Sequence, residues 1–229
     1  MAETVVQRVD FGYFVRPAAE SSRGVPRVEP CLGYLVRHAD GLLLFDTGMG
    51  AHPAVDARYH PRRNALREAL GAANVYPDEI RFVANCHLHF DHCGGNPELA
   101  GRPLFTQRVE LEAARGDRYT LPELIDAPGL LYEELDGESE ILPGVHLVPT
   151  PGHTDGHQSL VVRRGDGTVV VAGQSHASSS AYSADVLAWR AHRDRHTPPL
   201  PEIAGWIDRL QSFDPARVVF AHDHSVWEP

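Results

Sequence analysis

Long apolar runs are missing from this 229-residue sequence, and a bilayer-spanning helix needs about 20 such residues in a row. The first residues also lack the basic and then apolar stretch of a secretory signal, so the sequence predicts a soluble, cytoplasmic protein with no membrane partner. Cysteine is scarce. Cys31, Cys86 and Cys93 are an odd number without CxxC spacing, which argues against a secreted disulfide framework. Basic residues are outnumbered, 21 Lys and Arg against 31 Asp and Glu, for a formal net charge of −10. Such a chain offers no cationic stripe for phosphates, and nucleic acid is not expected as a partner. A small-molecule substrate fits better. Bound cations would make a pocket locally positive, so the overall acidity does not exclude an anionic one. A homo-oligomer is compatible with this composition.

What the chain does contain is a 42% hydrophobic fraction broken up by 20 glycines and 18 prolines. That suits one α/β domain over residues 1–229. Short β-branched or aliphatic runs predict strands at 32–36, 42–45, 81–85, 103–106, 145–148, 159–162, 168–172 and 217–221. Helices are expected at 62–70, 107–115 and 202–213; in the last, Ile203, Trp206, Ile207 and Leu210 follow i, i+3, i+4, i+7 spacing and read as core. Segments 16–30 and 174–201, rich in Pro, Ser and Gly, read as loops, the second as a loop or lid.

The chemistry concentrates in Asn85-Cys86-His87-Leu88-His89-Phe90-Asp91-His92-Cys93-Gly94-Gly95-Asn96, an HxHxDH array after an apolar strand. Alternation past the strand end lets His87 and His89 converge on one metal, while the turn redirects Asp91 and His92 toward a second. Imidazoles with a hard carboxylate suit zinc, with iron or manganese as the other candidates, better than calcium or magnesium. Cys86 and Cys93 flank the array and read as small buried thiols. Downstream, Pro151-Gly152-His153 offers a third imidazole for His87 and His89; His157 competes for that place but reads as an orienting residue. Near the other end, Val218-Val219-Phe220 delivers Ala221-His222-Asp223-His224, and His222 is the best partner for Asp91 and His92.

These motifs identify a resemblance. Together with Leu44-Phe45-Asp46-Thr47-Gly48-Met49, Gln107-Arg108-Val109-Glu110, His157-Gln158-Ser159 and Phe220-Ala221-His222-Asp223, they make the chain similar to the metallo-β-lactamase superfamily and, within it, to the N-acyl homoserine lactonases. The resemblance implies an αββα sandwich of two similar halves, a dinuclear zinc site at one edge between the sheets, and Asp46 as an orienting carboxylate rather than a ligand. It further implies hydrolysis of a lactone or related ester-like carbonyl by a metal-bound hydroxide, with Asp91 relaying the proton to the leaving alkoxide.

Two positions depart from the pattern. Where the superfamily carries a metal-bridging aspartate this chain has Gln174, and where the lactonases carry a tyrosine three residues later it has Ala177. A glutamine oxygen is a neutral, weaker donor, so metal retention should fall, chiefly at the Asp91, His92 and His222 position. Gln174 is thus a candidate catalytic-site residue, His176 an alternative ligand, and Tyr182 a residue that could reach inward in place of the missing tyrosine. Phe11, Tyr13, Phe14, Tyr182 and Trp189 are the candidate walls for an apolar or aromatic part of the substrate. Rival chemistries are thioester or β-lactam hydrolysis, iron oxidoreduction, and a non-hydrolytic or biosynthetic role; Gln174 counts against the iron reading.

Overall fold

The computed structural model describes residues 3–21 and 24–229. The strands, in chain order, are β1 (Val5–Arg16), β2 (Arg27–His38), β3 (Gly41–Phe45), β4 (Arg62–Arg63), β5 (Ile80–Ala84), β6 (Pro103–Gln107), β7 (Leu131–Leu135), β8 (Ser139–Leu142), β9 (Val145–Pro149), β10 (Gln158–Val162), β11 (Thr168–Val171) and β12 (Pro215–Val219). The helices are α1 (Pro53–Tyr59), α2 (Leu66–Ala72), α3 (Arg108–Ala114), α4 (Pro122–Ile125), α5 (Ser179–Arg193) and α6 (Trp206–Gln211). One sheet runs β4-β1-β2-β3-β5-β6-β7 and the other β12-β11-β10-β9-β8.

Period-two alternation sorts the apolar residues into layers. Along β2, Leu32, Tyr34 and Val36 join the core between the sheets, as do Leu43 and Phe45 of β3, Leu160 and Val162 of β10 and Val171 of β11. The alternate residues Cys31, Leu35 and Leu44 face the other way and pack with Leu66, Ala69 and Leu70 of α2. On the far side of the second sheet, Val161, Val170 and Val218 meet Tyr182 and Val186 of α5 and Leu210 of α6. Helix, sheet, sheet, helix is the layering the resemblance implies. Among the described residues no helix is long and apolar enough to cross a membrane.

Three differences from the sequence-based expectation bear on the site. The segment 174–201 is not simply a loop: it carries the 15-residue α5. The Ser run that suggests a loop supplies the cap, with Ser178 accepting from the Ala181 amide, as small hydroxyl residues do at helix starts. Strand β1 is also unexpected, because its alternation breaks between Asp10 and Tyr13, where the register with β2 shifts. Gly12 sits at that break with φ +100, so close to Arg62 that a Cβ would meet its carbonyl oxygen. The irregular reading of 16–30 fails at its ends for the same reason, since β1 extends to Arg16 and β2 begins at Arg27. Finally, the expected helix at 62–70 starts only at Leu66, because Arg62 and Arg63 pair with β1.

Candidate metal centre

The strands β3, β5, β9 and β11 deliver their C-terminal loops to one edge of the sandwich. There His87, His89 and His153 form one group of three donors and Asp91, His92 and His222 another, the atoms within each group lying within 4.8 Å of one another. In the first, His87 Nε2 lies 2.9 Å from His89 Nδ1, and His153 Nε2 lies 3.2 Å from the same atom. In the second, Asp91 Oδ2 stands 3.6 Å from His92 Nε2 and 3.5 Å from His222 Nε2. All six residues expected as ligands are thus brought together.

Neighbours fix which nitrogen of each ring is available. Asp46, at the end of β3 in a left-handed conformation (φ 62), accepts from the Cys86 amide with Oδ1 and faces His92 Nδ1 at 3.0 Å with Oδ2. His222 Nδ1 donates to the Pro30 carbonyl at 2.8 Å. With both Nδ1 positions so engaged, Nε2 of His92 and Nε2 of His222 face the Asp91 carboxylate and the oxygen of Gln174. A buried set of N/O donors of this kind could hold a cation, which would take the place of the proton on His92 Nε2, and the donor set suits zinc. Burial and neighbouring imidazoles hold His87 well below its ordinary value, and the same causes bring His153 to about 3. Burial also lowers His89 and His222. Four rings are therefore held neutral, as ligation requires. His92 differs: burial opposes its charge, but Asp91 and Asp46 outweigh burial and lift it to about 9. For Asp91 the opposing effect of burial is outweighed by His92, His222 and His89, which bring it to about 2.

Gln174 points into the second group. Its Oε1 lies 3.1 Å from His92 Nε2 and 3.2 Å from His222 Nε2. Gly173 makes this approach possible: its φ is +57, and a Cβ there would stand 2.5 Å from the Cys86 Cβ. His157 holds the next amide in place, accepting from the Gln174 N–H at 3.1 Å with Nε2 while Nδ1 faces the Thr150 carbonyl at 3.1 Å. Both ring nitrogens of His157 are thus engaged by the backbone, although its ring also stands with Cys86 and His87 in a third group of possible donors. Cys86 lies behind the centre, its sulfur 3.1 Å from His87 Nδ1 and 3.3 Å from His92 Nδ1. Burial, then Asp46, keep it a neutral thiol. Cys93 is buried too, its thiol donating to the Leu88 carbonyl.

Two further candidates lie elsewhere. Tyr182 is fully buried, packed edge-on against Phe220 and Trp227, with its hydroxyl accepting from Gln211. It belongs to the α5 core, because the helix turns it toward the second sheet, and it does not replace the missing tyrosine. His176 is held by Asp185 of α5 at 3.1 Å and lies among the rings of Tyr182 and Trp206, so it is no ligand in this arrangement.

Glu110 is a structural contributor whose role the sequence leaves open. It is wholly buried at the start of α3. Its Oε1 accepts from the Leu88 amide at 2.7 Å and from the Tyr119 hydroxyl, and its Oε2 accepts from Thr154 at 2.7 Å. One carboxylate thereby ties the loop carrying His87 and His89 to the loop carrying His153. Its place in the first turn of an otherwise apolar-facing helix is the signal that marks it. Tyr119 in turn packs its ring 4.8 Å from that of His89.

A 390 Å³ cleft opens over the centre, walled by Phe14, Tyr59, Phe90 and Tyr119 and floored by His89, Asp91, His153 and Gln174. Of the aromatics expected there, only Phe14 lines it. Phe11 is in the core, Trp189 bonds to Asp208, and Tyr13 faces a 670 Å³ hollow beside β4 that contains none of the candidate ligands.

The sequence profile of the metallo-beta-lactamase superfamily matches residues 26–222. The chain belongs to this superfamily. It is similar to an N-acyl homoserine lactonase from a Bacillus species, 35% identical over 146 residues that cover 58% of each chain. The chain spans little more than half the length of the curated relatives it matches. Among solved metallo-β-lactamase structures, a quorum-quenching N-acyl homoserine lactone lactonase superposes with a TM-score of 0.77 at 26% identity, over 98% of this chain and 94% of that one. An N-acyl homoserine lactone hydrolase, solved with N-hexanoyl-L-homoserine bound at its catalytic metal centre, gives a TM-score of 0.77 at 24% identity, over 98% and 95%, and shares the fold.

Proposed function

We propose that this protein is a metal-dependent hydrolase, acting on a lactone or a related ester-like carbonyl. The observation that carries the reading is the convergence of two three-residue donor groups, His87/His89/His153 and Asp91/His92/His222, beneath one open cleft. Its similarity to lactonases over part of their length supports the choice of bond. We take the resident metal to be zinc, in two positions, the second modified by Gln174.

When bound, divalent ions at these positions would supply Lewis-acid polarisation of the carbonyl and a water acidic enough to ionise near neutral pH. The residues of the chain do the rest. Asp91, held ionised with its carboxylate at the floor of the cleft, can accept the proton released as water attacks and return it to the leaving alkoxide. Phe14, Tyr59 and Phe90 pack against one another, with centroids 4.8–6.2 Å apart, and form a wall that holds an apolar substituent and keeps bulk water from the reacting carbonyl. Tyr119, fixed by Glu110, closes the wall on the His89 side.

Elemental analysis of protein purified without added metal, paired with a lactone, thioester and β-lactam panel, tests this reading. About two zinc per chain and preferential lactone opening are expected. One iron with visible absorbance would move the protein to oxidative chemistry. A native protein that hydrolyses nothing, beside a Gln174→Asp variant that gains both metal and turnover, would show that native hydrolysis is the wrong reading.

A further inference from the structure

The centre has a second cleft, 210 Å³ in volume, whose lining differs from the aromatic one. Arg16, Arg27 and Glu29 stand in it beside His153, Gln174 and His222, and Ala177 leaves it open. Arg16 and Glu20 also line the aromatic cleft, so the two form arms that meet over the candidate ligands. One arm is apolar and the other ionic.

The ionic arm is built into the sheet. Arg16 of β1 and Arg27 of β2 are directly opposite each other, as are Phe14 and Glu29, and alternation puts all four on one face. Like charges facing across a strand pair are destabilising. Here Glu29 lies between them, its side chain 3% exposed, with Oε2 accepting from Arg16 Nε and Oε1 from Arg27 Nε, both at 2.8 Å. Both carboxylate oxygens are thereby used to hold two guanidiniums. Glu20 approaches Arg16 only at 3.7 Å and also accepts from Arg58 and Tyr59. Glu20 is thus shared among Arg16, Arg58 and Tyr59, so Arg16 is paired closely through Nε and only loosely at its Nη1 edge. A guanidinium anchored through Nε still has an edge of donors matched to a carboxylate.

We propose that Arg16, held by Glu29, is the anchor for an anionic group of the substrate, so that the protein acts on carbonyl compounds bearing a carboxylate in preference to neutral ones. The idea rests on the hydrolase reading for its substrate class, but the anion site itself does not require turnover. Charge-assisted hydrogen bonds of this kind are worth on the order of 10–100-fold in affinity.

Calorimetry on the zinc-loaded protein with a matched pair of probes, 4-phenylbutanoate and 4-phenylbutanamide, separates this anchor from simple carboxylate binding to metal. In Arg16→Gln, which leaves Glu29 paired to Arg27, affinity for the carboxylate should drop about tenfold or more, with the amide's affinity and the zinc content unchanged. Equal losses for both probes, or none, overturn the proposal. If the Gln variant does not fold, Arg16→Lys keeps the charge beside Glu29 but loses the planar fork. It should weaken the carboxylate alone by several-fold, and unchanged carboxylate binding again overturns the proposal. If the Arg16-dependent difference is present while the native protein opens no lactone, thioester or β-lactam, the anion site stands and the hydrolase reading falls. If hydrolysis is present and the difference is not, the anion site falls alone.

Discussion

Gln174 sets its side-chain oxygen 3.1 Å from Nε2 of His92 and 3.2 Å from Nε2 of His222, within the group completed by Asp91. Among the described residues, its side chain makes no hydrogen bond to His87, His89 or His153. With metal bound, it would therefore donate to one position, where a bridging carboxylate would donate to two. A neutral amide oxygen is the weaker donor for a hard or borderline cation. Gln174→Asp should accordingly retain close to two zinc per chain after dialysis against a weak chelator, under conditions in which the native protein loses one. Elemental analysis before and after dialysis checks this.

Asp46 acts one bond further out. It holds the Nδ1 side of His92 and the Cys86 amide at once. Removing such an orienting partner costs about 10–100-fold in metal affinity. Asp46→Asn should show that loss in a competition titration with a chromophoric chelator, and EDTA should lower its melting temperature by less than it lowers that of the native protein, because less binding energy is there to remove.

Glu110 is buried with three donors directed at it, of which the Leu88 amide is buried while the Tyr119 and Thr154 hydroxyls are partly exposed and can turn to water. At about 1–3 kcal/mol for a buried unsatisfied group, Glu110→Ala should lose at least about 1 kcal/mol in urea unfolding. Metal affinity at the His87/His89/His153 position should fall with it, since the two loops lose their common tie. A variant as stable as the native chain would show that water replaces the carboxylate.

Tyr182→Phe provides the contrasting case. The ring stays in the α5 core and only the bond from Gln211 is lost, a cost of about 1 kcal/mol. Turnover and zinc content should not change. Tyr119→Phe, which frees one oxygen of Glu110 beside His89, should alter KM.

The candidate ligand set is legible in the sequence because it obeys local rules: four donors in six positions, from His87 to His92, follow an apolar strand, and His153 and His222 each sit at a strand-to-turn junction. The inner strands are legible too, since residues buried on both faces, such as those of β10 and β11, form unbroken apolar runs. What is not legible depends on long-range geometry. Strand β1 is disguised by the Gly12 break, and α5 by the serines that cap it. The wall residue Tyr59 lies on a short helix and Phe90 within the motif itself, and only packing against Phe14 brings them together. Nor does the sequence place Arg16 opposite Arg27, because register across two strands is set by the whole sheet.

The last candidate ligand is fastened to the first half of the molecule. His222 bonds to the Pro30 carbonyl, the Leu32 amide donates to the Ala221 carbonyl, and the Tyr34 hydroxyl donates to the Phe220 carbonyl. Residue 222 is 131 positions after Asp91 in the chain, yet the Asp91/His92/His222 group is complete only while the segment 220–222 stays bound to residues 30–34. Any opening between the end of β12 and β2 would therefore take His222 away from its two partners before it disturbed His87, His89 and His153.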